Sequence, residues 1–281
     1  MDWQSGRRSD NVEDRRGGVG RGVKLSGGAV VLIVVVGALL GKSPSEMLRL
    51  IDQSQRQSPG VSAPPRGSPA QNDVGKDFVR SVLGSTEDVW DGLFQKGSAA
   101  YRRPKLVLFR DSVSSACGFN ESAVGPFYCP GDEKVYLDLD FFDELDRRFH
   151  APGEFARAYV IAHEVGHHVQ HLLGWEKRAA ARTRAERNAV SVRTELQADC
   201  LAGVWAFHAQ KQRPFLERGD LESALGAASA IGDDRLQRQA RGYVVPESFT
   251  HGSSAQRVKW FRAGFQQGSL KACDTFASEA P

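Results

Sequence analysis

Cysteine is scarce in this chain of 281 residues: Cys117, Cys129, Cys200 and Cys273 are the only four, and no two stand in a CxxC pair. That spacing argues against zinc knuckles. An excess of charge of one sign is also missing. The 37 basic and 34 acidic side chains leave a formal +3, too slight and too dispersed for a nucleic-acid surface. There is no internal repeat. Residues 53–72 (QSQRQSPGVSAPPRGSPAQN) have almost no large apolar side chains, so they cannot repay the entropy of ordering and read as a flexible tether. The rest is ordinary: 41% hydrophobic and 25% charged residues are enough to build a core.

One long uncharged stretch is present. Residues 25–41 (LSGGAVVLIVVVGALLG) lie between Lys24 and Lys42 and are at the short end of what crosses about 30 Å of hydrocarbon as a helix. A buried strand and a cleaved signal peptide are the competing readings. A signal peptide has a shorter apolar region and a small-residue cleavage site, and KSPSEMLRL offers no Ala-x-Ala pattern. The expectation is one uncleaved transmembrane helix. Arg7, Arg8, Arg15, Arg16, Arg21 and Lys24 precede it, against Lys42, Arg49 and Arg56 after it, so positive-inside orientation leaves the bulk of the chain outside the cytoplasm. The organisation expected is a basic cytoplasmic tail at 1–24, an anchor at 25–41, a linker at 42–72 and a folded domain at 73–281 in a bacterial cytoplasmic membrane.

All four cysteines follow the apolar run, and an even count outside the cytoplasm points to two disulfides. Three pairings are possible; the local one joins Cys117 with Cys129 and leaves Cys200 with Cys273. Buried free thiols are the alternative. Within the domain, 74–83 and 87–94 read as short amphipathic helices, 105–109 (KLVLF) as a strand, 114–130 as a turn-rich hairpin region, and 135–142 (VYLDLDFF) as a half-buried strand. The remainder reads as helices broken at Gly174, Gly219, Gly232 and Pro246. Strands followed by helices make an α+β fold, mostly helical with a small sheet.

The chemistry concentrates in AYVIAHEVGHHVQHLLG, residues 158–174. His163 and His167 are four apart on a helix, so both rings share a face and can grip one ion, while Glu164 stands beside them, able to touch a water on that ion. Gly166 costs helix stability by about 1 kcal/mol relative to Ala, which suggests that something packs closely on that side. His168 points elsewhere and reads as packing or surface. His171 lies about 12 Å along the axis from His163, too far to share an ion with it. A catalytic zinc takes three protein ligands, and the candidates for the third are Glu195, Asp199, His208 and His251. In TELQADCLAGVWAF the acids Glu195 and Asp199 are four apart and point to one side. One can bind while the other supports a ligating imidazole, and Ala198 and Ala202 permit a close approach to the motif helix.

HEVGHHVQ with ELQADCLAG downstream, preceded by SACG, GPFYCP and VYLDLDFF and followed by SFTHGSSAQRVKWF, resembles the predicted neutral zinc metallopeptidase family of membrane-anchored bacterial proteins. The likeness extends to the N-terminal MDWQSGRRSDNVEDRRG. It implies a zincin-like domain in which zinc is bound by His163, His167 and Glu195, with Asp199 behind a ligand and Glu164 as catalytic base. By the same analogy His251 and Arg257 lie beside the site, and one or the other stabilises the oxyanion. Their competing reading is capping and surface charge, since Ser253 and Gln256 have capping-box spacing. The implied activity is hydrolysis of peptide bonds in peptides or proteins, with the substrate extended along a sheet edge offered by VYLDLDFF or the segment before it. A catalytically silent, tethered zinc protein and a zinc amidase acting on cell-wall material are the rival functions. Oligomeric state is not legible.

Overall fold

The alternating run at 135–142 forms a strand only as far as Asp138, and it is buried rather than half-buried. In the computed structural model, which describes residues 1–17, 73–97, 100–121, 125–175 and 183–277, the strands are β1 (Val12–Asp14), β2 (Lys105–Phe109), β3 (Ser112–Ser115), β4 (Gly118–Glu121), β5 (Phe127–Cys129) and β6 (Lys134–Asp138). The α-helices are α1 (Val74–Phe94), α2 (Asp140–Arg147), α3 (Glu154–Leu172), α4 (Arg184–Gln212), α5 (Asp220–Ala230), α6 (Asp233–Arg241) and α7 (Ser254–Gln267). Strands precede most of the helices, and the fold is α+β, mostly helical with a small mixed sheet.

The sheet runs β1-β2-β6-β5, with β1, β2 and β6 parallel and β5 antiparallel at the edge. Because β2 and β6 are parallel and interior, both of their faces are covered, as such strands require. Leu106, Leu108, Val135 and Leu137 face the helical core. Val107, Phe109 and Tyr136 face a smaller cluster closed by Val113 and Cys129. The Asp138 carboxylate accepts the N–H of Asp140, so the strand passes directly into α2 and the alternating pattern ends there. Strand β5 is tied to the hairpin β3–β4 by the Cys117–Cys129 disulfide.

Helix α3 packs against α1, α4 and α5 and against the strands β5 and β6. It is buried almost all round. The close crossings of α4 depend on glycine. A Cβ on Gly166 would come within 3.0 Å of the Ala198 carbonyl oxygen, and one on Gly264 of α7 would overlap the Cys200 carbonyl. The second disulfide, Cys200–Cys273, fastens α4 to the 3-10 turn at Leu270–Cys273. Closing that long a loop is worth about 4 kcal/mol in the chain-entropy account.

Two expectations are corrected at the N-terminus. First, 74–83 and 87–94 are one helix: Gly84 does not break α1, because the Arg7 carbonyl packs where its Cβ would stand, 2.5 Å away. Second, residues 1–16 are part of the folded unit formed with residues from Asp73 onward, not a separate tail. Strand β1 pairs with β2, Trp3 is buried against Phe78 with its indole N–H donating to Glu154, and Ser9 donates to Glu87. Among the described residues no helix is long and apolar enough to cross a membrane. The expected anchor at 25–41 and linker at 42–72 lie outside the described residues.

Candidate metal centre

On α3, His163 and His167 stand one turn apart with ring centroids 4.9 Å from each other. The third donor comes from α4. Because Gly166 has no side chain, the α4 backbone at Ala198 touches α3, and Glu195, one turn earlier on α4, reaches both rings. Its carboxylate oxygens lie 3.1 Å from His163 Nε2 and 3.5 Å from His167 Nε2. Donor atoms of the three residues all fall within 4.8 Å of one another. Bonds of about 2.0–2.1 Å to a tetrahedral zinc separate ligand atoms by about 3.3 Å, so this spacing fits the ion.

The outer nitrogens of both rings are fixed. His163 Nδ1 lies 2.9 Å from Asp199 Oδ1, and a carboxylate can only accept, so Nδ1 carries a proton and Nε2, beside Glu195, is the nitrogen placed to ligate. His167 Nδ1 lies 2.8 Å from Gln170 Oε1. The Gln170 amide nitrogen donates to the Thr194 carbonyl and to Gln197 Oε1, which identifies Oε1 as the acceptor and again leaves Nε2 for a metal. Gln197 in turn donates to the carbonyl of Cys273.

Electrostatics select a cation at this point. Burial works against a charged His163, but Asp199 and Glu195 outweigh it and push the imidazole up to about 10. Glu195 is held well below the usual carboxylate range, against its own burial, by the two imidazoles. A divalent ion between these groups supplies the positive charge they favour. Glu164, buried in the same wall, is raised by desolvation, partly offset by the two histidines.

Arg257 lines the same cleft as the three donors, with its guanidinium largely engaged. It is 2% exposed, donates through Nε and Nη2 to the two oxygens of Asp199 at 2.8 and 2.9 Å, and its Nη2 also donates to Tyr159 at 3.2 Å. The Tyr159 hydroxyl donates to Asp199 as well. Arg257 thus holds the carboxylate of Asp199, which in turn lies against His163 Nδ1. The capping box of Ser253 and Gln256 is present too, but the arginine after it is buried rather than a surface charge. His251 is half-exposed and lines the cleft, with Nδ1 3.3 Å from Asp233 Oδ1. The hydrogen bond to Asp233 raises its pKa, burial opposing. Asp233 also accepts the N–H groups of Thr250, His251 and Gly252, fixing the loop that presents the ring.

The other histidines lie elsewhere. His208 faces the Gly268 carbonyl, His171 lies 3.6 Å from Glu133, and His168 is fully buried against Tyr128 and Arg102. Gln170, Tyr159 and Asp233 were not singled out from sequence. Tyr159 is four residues before His163 and Gln170 three after His167, spacings that place each beside its ring. Asp233 carries no such local signal. The metal site opens into a cleft of about 630 Å³ walled by Phe127 and Tyr128 of β5 and by Phe141, Phe149 and His251.

A family described as "Putative neutral zinc metallopeptidase" matches residues 1–276. Among curated proteins, the chain is 48% identical over 290 residues to "Uncharacterized protein YpfJ" of Escherichia coli (strain K12), covering 98% of this chain and 99% of that one. It is 43% identical over 255 residues to "Uncharacterized protein Rv2575" of Mycobacterium tuberculosis (strain H37Rv), covering 85% of each. No solved structure matches. With the family pattern spanning nearly the whole length and the paired histidines and Glu195 meeting in space, the chain belongs to this neutral zinc metallopeptidase family.

Proposed function

We propose that the protein is a zinc-dependent peptidase that cleaves peptide bonds of peptides or proteins, with His163, His167 and Glu195 as metal ligands and Glu164 as base. The observation that carries this reading is the convergence of the three donors, each imidazole backed by its own acceptor, with a buried carboxylate one residue from a ligand and an open cleft in front. A structural zinc site has no need of Glu164 or of the cleft.

Zinc bound there would lower the pKa of a coordinated water to about 7 and polarise the scissile carbonyl. Glu164 takes the proton of the attacking water and returns it to the leaving amine, a role its raised pKa suits. His251, held by Asp233, donates to the oxygen on which negative charge develops. Asp199 and Gln170 keep both ligating rings in the correct tautomer. The substrate lies extended along β5. Of the two segments considered from sequence, β6 is interior and β5 is the sheet edge, and Phe127 and Tyr128 of β5 wall the cleft.

We further propose that the domain works outside the cytoplasm, because both cysteine pairs form disulfides, which persist in oxidising compartments. The test of the activity is cleavage of an unfolded protein by the full chain and by Glu164→Gln. The wild type is expected to cleave and the variant to lose about 100- to 10,000-fold while keeping its zinc. Equal rates from the two zinc-loaded proteins would rule the peptidase reading out.

A further inference from the structure

His168 neighbours a metal ligand in sequence yet turns away from the metal. It is fully buried, with Nε2 2.5 Å from the Arg102 carbonyl oxygen and Nδ1 2.9 Å from the Tyr128 hydroxyl. A carbonyl only accepts, so Nε2 carries the hydrogen, Nδ1 presents its lone pair, and the phenol donates to it. Tyr128 belongs to β5 and walls the cleft, so this hydrogen bond joins the sheet edge directly to the helix that carries His163, Glu164 and His167.

We propose that His168 is a positioning residue: through Tyr128 it fixes the distance of the β5 edge from α3, and so where an extended peptide lies relative to Glu164. The proposal rests on the peptidase reading for its consequence, but its physical content is the placement of a strand. Misplacement of a substrate by about 1 Å is enough to cost a large factor in rate or binding.

Tyr128→Phe and His168→Gln cut the same bond from opposite ends; the glutamine amide can still donate to Arg102. In the full zinc-loaded protein each should leave zinc content unchanged, lower kcat/KM for a peptide spanning the cleft by about three- to tenfold, and speed amide exchange at residues 127–129. The double variant should be no worse than the poorer single, since one bond is being removed. Unchanged exchange at these amides in both variants overturns the proposal. So do unchanged kcat and KM for the cleft-spanning peptide in both variants. If the wild type cleaves nothing, the peptidase reading fails, and the exchange experiment still decides the role of His168.

A second inference rests on independent contacts. The guanidinium groups that mark residues 1–16 as a cytoplasmic flank are engaged by acids. Arg7 pairs with Glu87 and Asp88, Arg8 with Asp77, and Arg16 with both Asp14 and Asp73. With β1 hydrogen-bonded to β2 and Trp3 buried, residues 1–16 and the domain from Asp73 fold together. The 2.5 Å pair between Arg16 and Asp73 brings the two ends of the intervening segment to one point. We infer that residues 1–16 and the metal-site domain occupy the same side of any membrane to which the chain is attached.

Two variants of the full chain, each adding one cysteine to the four held in disulfides, test this: Asp10→Cys on the arm and Gln239→Cys on α6, both at exposed positions. Each is treated with a membrane-impermeant thiol reagent in intact and in permeabilised cells. Both positions should label under the same condition, whichever it is. Labelling of one in intact cells and of the other only after permeabilisation overturns the inference.

Discussion

At the scale of single residues, the site is a set of tautomer and charge assignments, and each can be broken separately. Asp199 holds His163 Nδ1 and neutralises buried Arg257. Asp199→Asn keeps the shape but leaves a guanidinium without its carboxylate, so the protein should lose about 3–5 kcal/mol by denaturant titration. Zinc affinity, measured by competition with a chelator, should weaken about 10- to 100-fold. His251 gives a pH signature. Asp233 raises its pKa, so the pairing stabilises fully below the value of a free imidazole, about 6.5, and is lost as pH rises through the raised value. In Asp233→Asn the alkaline limb of kcat/KM should move to lower pH, because the protonated donor disappears sooner. An unmoved limb would assign it to another group. These residues differ in how far sequence reveals them. His163, Glu164 and His167 stand in a spacing that only a helix makes useful, and Glu195 and Asp199 repeat the same four-residue interval. Arg257 was legible as a residue near the site but not in its partner, since that depends on a crossing of α4 and α7 that no local pattern encodes.

At the scale of elements, the metal site is the product of one helix crossing. Gly166→Ala should favour the isolated helix by about 1 kcal/mol, yet its Cβ would sit 3.0 Å from the Ala198 oxygen. The crossing must open, and Glu195 withdraws with α4. The variant is expected to bind zinc more weakly and to melt at lower temperature than wild type, and a rise in both quantities would contradict this account of the glycine. Its intrinsic cost was visible in sequence, which is why close packing on that side was foreseeable. The fate of VYLDLDFF was not. Alternation over eight residues predicts a half-buried strand, but its second half enters α2, where the Asp138 carboxylate accepts the N–H of Asp140, and its first half is covered on one face by the helical core and on the other by the smaller cluster. Gly84 misled in the opposite way. It falls in the gap between the expected helices at 74–83 and 87–94, and the arm that occupies its missing side chain is distant in sequence.

At the scale of the whole molecule, a chain of polar contacts runs from the metal site to a disulfide: His167 to Gln170, Gln170 to Gln197, and Gln197 to the carbonyl of Cys273, which is bonded to Cys200. Cys200→Ser with Cys273→Ser should lower stability by about 4 kcal/mol in denaturant titration, with weaker zinc binding because the support of His167 loosens. The most direct measurement of the central claim is metal content together with peptide cleavage for three full-length proteins: wild type, Glu195→Ala and Glu164→Gln. The account predicts about one zinc per chain and activity in the wild type, loss of both in Glu195→Ala, and retained zinc without activity in Glu164→Gln. Full zinc occupancy in Glu195→Ala, or cleavage by Glu164→Gln at the wild-type rate, would contradict it.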